Sequence, residues 1–301
     1  MLFFNTYVIL FAKGSVYMII VVCGPTGVGK TKMSVELAKK YDAVILNADS
    51  MQVYKELNIG TAKVTEEEKQ GIPHYLFDIK DPEEMYTVYD YQKDLREKLA
   101  EFKDRNIVIV GGTGLYIKAA LYNYEFNTEE ESNTYDDLSN EELYEMVKKI
   151  DPNSETHINN RKRLIRELNR GGTPSNKDEL LYPAIFIGLT TDRDTLYDRI
   201  NKRVDIMVQD GLIDEVKSLY DRNIRSKAIM TGIGYKELYE YFDGNITLDE
   251  AIELIKQRSR KYAKRQYTWF NNQMDIKWFD VDFDDFNNTI NECVKYIESM
   301  K

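Results

Sequence analysis

The sequence predicts an α/β fold: a parallel sheet with helices on both faces, interrupted by a smaller, mainly helical inserted domain. Three observations carry this. Four short runs are continuously apolar and rich in Val and Ile, as in strands buried on both faces. Helical patterns separate them. The stretch 124–182 then breaks the alternation, turning first acidic and later basic.

The elements follow in order. Ile19-Ile20-Val21-Val22 is the first strand, and it runs directly into Gly24-Pro25-Thr26-Gly27-Val28-Gly29-Lys30-Thr31. A helical pattern continues to Lys40. Ala43-Val44-Ile45-Leu46 is a second strand, ending at Asn47-Ala48-Asp49-Ser50. A helix is expected over Val88 to Lys103, with Tyr91, Leu95 and Leu99 at four-residue spacing. Ile107-Val108-Ile109-Val110 is a third strand, ending at Gly111-Gly112-Thr113-Gly114. Ile185 to Leu189 resumes the strand character after the excursion. The remainder reads as helices over Asp194–Gln209, Leu212–Arg222, Tyr235–Phe242 and Leu248–Asn271. The sheet domain thus takes 18–123 and 183–301, and 124–182 is the insertion.

Composition narrows the classes. At 301 residues, 43% hydrophobic and 31% charged, the chain can bury a sizeable core and is not disordered. The net charge of −10 argues against a protein that coats nucleic acid nonspecifically, though not against a local basic surface. Cys23 and Cys293 cannot form a disulfide framework, so a reducing, cytoplasmic setting is simplest. Two histidines, His74 and His157, leave no multi-histidine metal centre; both read as structural or as polar contacts. Residues 1–17 read as an extra leader. Their apolar run lacks the basic start and cleavage site of a secretory signal and falls short of the roughly 20 residues that span a bilayer. No membrane is expected.

Gly24 to Thr31 matches G-x-x-x-x-G-K-[ST] between a strand and a helix, the setting this motif requires. Its glycines let successive N–H groups curl around phosphate oxygens, and the helix N-terminus adds its positive dipole end. Lys30 supplies a mobile cation, and the Thr31 hydroxyl can face Mg²⁺ or a phosphate oxygen. The fold expected is a P-loop NTPase-like parallel sheet flanked by helices. A conventional hydrolase holds Mg²⁺ with an acid at a second strand end. Here the strand Ile107–Val110 ends in Gly-Gly-Thr-Gly and only the other strand offers an acid, Asp49. That tilts the reading towards group transfer with diphosphate as leaving group.

Further motifs follow in order: Asp-Ser-Met-Gln-Val-Tyr-Lys-x-x-x-Ile-Gly-Thr-Ala-Lys over 49–63, and Gly-Gly-Thr-Gly-Leu-Tyr over 111–116. Gly-Ile-Gly-Tyr-Lys-Glu over 232–237 and Tyr-Ala-Lys-Arg-Gln-x-Thr-Trp-Phe over 262–270 complete the set. With the phosphate loop, these make the chain resemble the tRNA dimethylallyltransferase family from Met18 to Trp278. The resemblance implies transfer of a dimethylallyl group from dimethylallyl diphosphate to N6 of adenosine 37, beside the anticodon of tRNAs reading codons that begin with U. Diphosphate leaves and Mg²⁺ assists. The phosphate loop, Gly24 to Thr31, then holds a prenyl diphosphate.

The residues suit these roles. An exocyclic adenine amine is a poor nucleophile, and a positioned carboxylate, Asp49, can accept its proton as the C–N bond forms. Thr113 on the neighbouring strand end can hydrogen-bond the phosphate or the incoming nucleotide. The target base must be extruded from its stack. By resemblance, Asp49, Ser50, Met51 and Gln52 contact the tRNA; Gln52 can bond a base edge and Met51 can pack on a ring. The family's Arg-rich tRNA-contacting stretch carries over to Lys162, Arg163, Leu164, Ile165 and Arg166. A second basic run, Lys256 to Arg265, holds six positive charges in ten residues on an expected helix and suggests more RNA contact.

Many relatives read Ala-Ser where this phosphate loop has Gly27-Val28, so a hydroxyl is lost while the backbone cradle is spared. A monomer is expected. The rival readings are an adenylate isopentenyltransferase acting on free AMP or ATP, a small-molecule P-loop kinase, and a pure RNA-binding module.

Overall fold

The computed structural model describes residues 17–124, 126, 135–169 and 178–300. The leader 1–17 therefore lies, but for Tyr17, outside the described residues. The elements before the insertion are β1 (Ile19–Cys23), α1 (Lys30–Tyr41), β2 (Ala43–Asn47), α2 (Glu66–Lys69), β3 (His74–Tyr75), α3 (Val88–Glu101), β4 (Asn106–Gly111) and α4 (Gly114–Leu121). The insertion carries α5 (Asn140–Ile150) and α6 (Arg161–Asn169). After it come β5 (Ile185–Thr190), α7 (Arg193–Gln209), α8 (Leu212–Asp221), α9 (Lys227–Thr231) and α10 (Tyr235–Phe242). The chain closes with α11 (Leu248–Gln273), β6 (Lys277–Asp280) and α12 (Phe286–Ser299).

The sheet is parallel throughout, in the order β3-β2-β4-β1-β5-β6. All five residues of β1 and of β2 are buried, as expected of strands covered on both faces. Two strands exceed the four expected. β3 is only two residues long, and β6 mixes exposed and buried positions as a sheet edge does. Neither carries the continuous apolar run that marks an inner strand. α12 was not anticipated either. Its Phe286, Cys293 and Ile297 join the core that α1 lines with Met33, Leu37 and Tyr41.

The chain divides into two compact units, residues 122–179 and the rest. Leu181 and Tyr182 belong with the sheet, because both N–H groups donate to the Leu121 carbonyl, at 2.9 and 3.1 Å. The smaller unit is a helical hairpin. Leu143 and Val147 of α5 pack against Leu164 and Leu168 of α6. Ser154 and Thr156 both donate their hydroxyls to the Glu167 carboxylate.

Candidate active site

Open parallel sheets bind ligands beyond the carboxyl ends of their strands. Three loops meet there. β1 leads into Gly24–Gly29, β2 into Ala48–Gln52, and β4 into Gly112–Gly114. The last two are tied directly: Ala48 N–H donates to Val110 O at 2.8 Å and Thr113 N–H to Ala48 O at 3.1 Å.

The phosphate loop has the expected form. Gly29 caps α1 with φ 88°, a left-handed conformation that disfavours side chains, and an added Cβ would sit 2.7 Å from the Phe286 ring. Among the described residues the N–H groups of Gly27, Val28 and Gly29 have no protein partner. These are donors a cradle offers an anion. Lys30 Nζ folds back onto the Pro25 carbonyl at 2.7 Å. Burial lowers its pKa to about 8, Asp49 opposes that shift, and Arg203 adds to it.

Arg203 is a site residue the sequence reading missed. It reaches the same region from α7, where it feels the charges of Asp49, Glu68 and Arg199. Among the described residues it has no ion-pair or hydrogen-bond partner, and its nitrogens keep contact with solvent. Two mutually repelling cations near Asp49 suit an anion. Arg199, one turn earlier, donates from Nε to Gly27 O at 3.0 Å and stacks 3.6 Å above the centre of the Phe283 ring. The signal was present: Arg203 follows Leu196 and Ile200 by seven and three residues, on the buried stripe of α7.

Asp49 stands at the end of β2, half-buried. Its Oδ1 accepts Met51 N–H at 2.9 Å, so one oxygen caps the next segment. Oδ2 has no protein partner among the described residues. The carboxylate acts electrostatically on Lys30, Arg203, Tyr116 and Tyr262, which places it beside the anion site. Buried Asn47 fixes the backbone here, with Oδ1 accepting Asp49 N–H and Nδ2 donating to Asp49 O and Leu76 O. Thr113 Oγ1 accepts Ser50 N–H at 3.0 Å and lies 3.3 Å from Ser50 Oγ. Asp49, Ser50 and Thr113 are thus brought together with the phosphate loop.

Gln52 and Met51 are more engaged than expected. Gln52 Nε2 donates to Thr61 O at 2.9 Å and Ala62 O at 3.3 Å, closing its own loop and leaving Oε1 for a base. The Met51 methyl packs so near Gly232 that a Cβ there would stand 2.8 Å away. The far side of this loop is held by Glu215 of α8, a second residue missed. Its carboxylate accepts Asn58, Ile59 and Gly60 N–H and the Tyr235 hydroxyl. Tyr235 belongs to the Gly232–Glu237 motif, whose Glu237 carboxylate accepts Gly234 N–H and Arg258.

That pairing engages part of the basic run on α11. Lys256 pairs with Asp205 and Glu253, Arg258 with Glu237, Arg260 with Asn201 and Lys261 with Gln257. Only Lys264 and Arg265 remain without an acidic or amide partner, the latter stacked on Tyr262. In the hairpin, Lys162, Arg163 and Arg166 are exposed, whereas Leu164 is wholly buried and Ile165 packs against the same core. Leu164 therefore builds the hairpin core and its side chain is not exposed, while Ile165 is only partly buried. Arg161 is also structural, donating to Leu138 O and Tyr135 O. His157 Nδ1 accepts Asn159 N–H in a turn, and His74 packs edge-on against Phe77.

A phosphate loop, an unpaired arginine and a half-buried carboxylate at the carboxyl ends of the inner strands fit an α/β transferase with an anion-binding site. The IPP transferase family matches residues 52–273, and the chain belongs to that family. A tRNA dimethylallyltransferase of Anoxybacillus flavithermus is 49% identical, covering 93% of this chain and 96% of its own. The tRNA dimethylallyltransferase of Bacillus subtilis is 48% identical, with 87% and 90% covered. Among solved structures, the full-length tRNA isopentenylpyrophosphate transferase of Bacillus halodurans is 44% identical with a TM-score of 0.73, covering 94% of this chain and 96% of that one. A eukaryotic dimethylallyltransferase acting on tRNA is 27% identical with a TM-score of 0.78, covering 92% and 77%.

Proposed function

We propose that this enzyme transfers the dimethylallyl group of dimethylallyl diphosphate to N6 of adenosine 37 in the anticodon loop of tRNA. The observation that carries this is Asp49: its free Oδ2 lies at a strand end beside an anion cradle. The cradle holds the diphosphate through the Gly27–Gly29 amides, Lys30 and Arg203. The extruded adenine meets the Asp49–Gln52 turn. The N6 lone pair attacks C1 of the allyl group, the C1–O bond breaks, and its electrons leave with the diphosphate. The N6 proton passes to Asp49 Oδ2. The growing charge on the leaving group is met by Lys30 and Arg203.

The Thr31 hydroxyl, with no partner among the described residues, and the diphosphate oxygens form an all-oxygen donor set. Such a set suits Mg²⁺, which keeps waters and takes few protein ligands. No cluster of three or more acidic, His or Cys side chains competes among the described residues. When bound, Mg²⁺ neutralises the diphosphate. The exposed Lys162, Arg163 and Arg166 of the hairpin supply phosphate contacts to the RNA. No helix among the described residues is long and apolar enough to cross a membrane.

The test is acceptor choice. The protein is incubated with labelled dimethylallyl diphosphate and tRNA, AMP, or neither. Label on tRNA alone is expected; label on AMP, or turnover of ATP without RNA, overturns the assignment.

A further inference from the structure

α11 carries a polar side chain on its buried stripe, between Ala263 and Phe270: Gln266, which is 5% exposed. The amide uses both ends. Oε1 accepts Thr26 N–H from the phosphate loop at 2.9 Å, and Nε2 donates to Gly112 O from the loop after β4 at 3.0 Å. One turn back on α11, Tyr262 lies near both Gln266 and Thr113. Thr113 accepts Ser50 N–H, next to Asp49. Residue 112 is bare to make room: a Cβ there would stand 2.1 Å from Gln266 Nε2. One side chain thus links the phosphate loop to the loop after β4, which is itself bonded to the Asp49 loop through Thr113.

We propose that Gln266 is a positioning residue for the transfer, its amide fixing the phosphate loop against the loops that carry Thr113 and Asp49. This rests on the function proposed above. A buried amide is stable only when both its acceptor and its donor are paired, so the two bonds select one orientation. Other side chains fail here. Asn is one methylene short of spanning both loops. Glu has no N–H for Gly112 and brings a second anion to a diphosphate site. Met spans the gap but pairs with neither loop. The cradle amides of Gly27–Gly29 are not used by Gln266, so binding of either substrate alone does not need it. Their relative placement does. Reacting atoms must approach along a defined line, and a misplacement of about 1 Å costs on the order of 100-fold in rate.

Gln266→Met and Gln266→Asn are compared with wild type for kcat, KM, melting temperature, and affinity for inorganic pyrophosphate and for an anticodon stem-loop RNA. The expected result is a fall in kcat of roughly 100-fold with both affinities kept within a few-fold. The inference is overturned by a variant with unchanged kcat. It is equally overturned if kcat, both affinities and the melting temperature fall together in both variants, the mark of a merely structural role. Wild type runs in the same assay, so absence of transfer there refutes the proposed function, and this inference with it.

Discussion

The Tyr235 hydroxyl donates to Glu215 Oε1 at 2.7 Å, and the same carboxylate accepts the N–H groups of Asn58, Ile59 and Gly60 at 2.9, 2.7 and 3.0 Å. One acid on α8 therefore anchors the loop whose other end carries Met51 and Gln52. Glu215→Ala strips four donors of their acceptor and should destabilise the fold by about 1–3 kcal/mol, against about 1 kcal/mol for Tyr235→Phe. Urea denaturation measures both. Equal effects of the two substitutions would contradict the anchoring role of the carboxylate.

Asp49→Asn keeps an oxygen for Met51 N–H but removes the base. The expected outcome is a fall in kcat of roughly 10²–10⁴-fold, with tRNA affinity changed by no more than a few-fold in a filter-binding assay. Loss of binding with kcat preserved would count against the role assigned to Oδ2.

Arg203 sits near Lys30 with no anion paired to it. Arg203→Met should leave the ligand-free protein at least as stable as wild type, because it removes a partly buried cation that repels Lys30 and has no ion-pair partner among the described residues. Pyrophosphate should then raise the melting temperature of the variant far less than that of wild type. A variant stabilised by pyrophosphate as strongly as wild type argues that Arg203 does not face the diphosphate.

Burial holds the Lys30 pKa at about 8, below the ordinary lysine value. A bound diphosphate favours the ammonium and raises it. Above about pH 8 the free protein is partly neutral at Lys30, so binding takes up a proton there and affinity falls as pH increases. Calorimetry in buffers of different ionisation enthalpy detects this uptake, and Lys30→Met should abolish it. The stability sign is separate. The folded pKa lies below the unfolded one, so the lysine's burial opposes folding at low pH. That cost is relieved as pH rises through about 8.

In the hairpin, Lys162→Ala and Arg166→Ala should each weaken tRNA binding and reduce its salt slope by about one. Leu164→Ala acts differently. It opens the core shared with Leu143, Val147 and Leu168 and should destabilise the hairpin by about 2–5 kcal/mol. Salt titration separates the two effects.

The inner strands were legible because β1, β2, β4 and β5 each hold a short, mostly Val, Ile and Leu apolar run, and the phosphate loop because its spacing is demanded by the anion. Asp49 followed from its place at a strand end. Arg203, Glu215 and Gln266 were not found, since each acts across long sequence distances; Gln266 lies in the 262–270 motif, but its spacing does not reveal which loops it bonds. Gln266 and Arg203 did leave a trace, as polar residues on stripes otherwise filled by Ala263 and Phe270 or by Leu196 and Ile200. Local composition on α11 could not show that Asp205, Glu237 and Glu253 pair with Lys256 and Arg258, two of the run's six cations.

Phe286 opens α12, lies against Gly29, and carries the Lys32 ammonium 4.6 Å above its ring. The ring that braces the phosphate loop is therefore translated long after the loop itself. While a nascent chain still lacks α12, it displays the glycine motif on an unsupported turn.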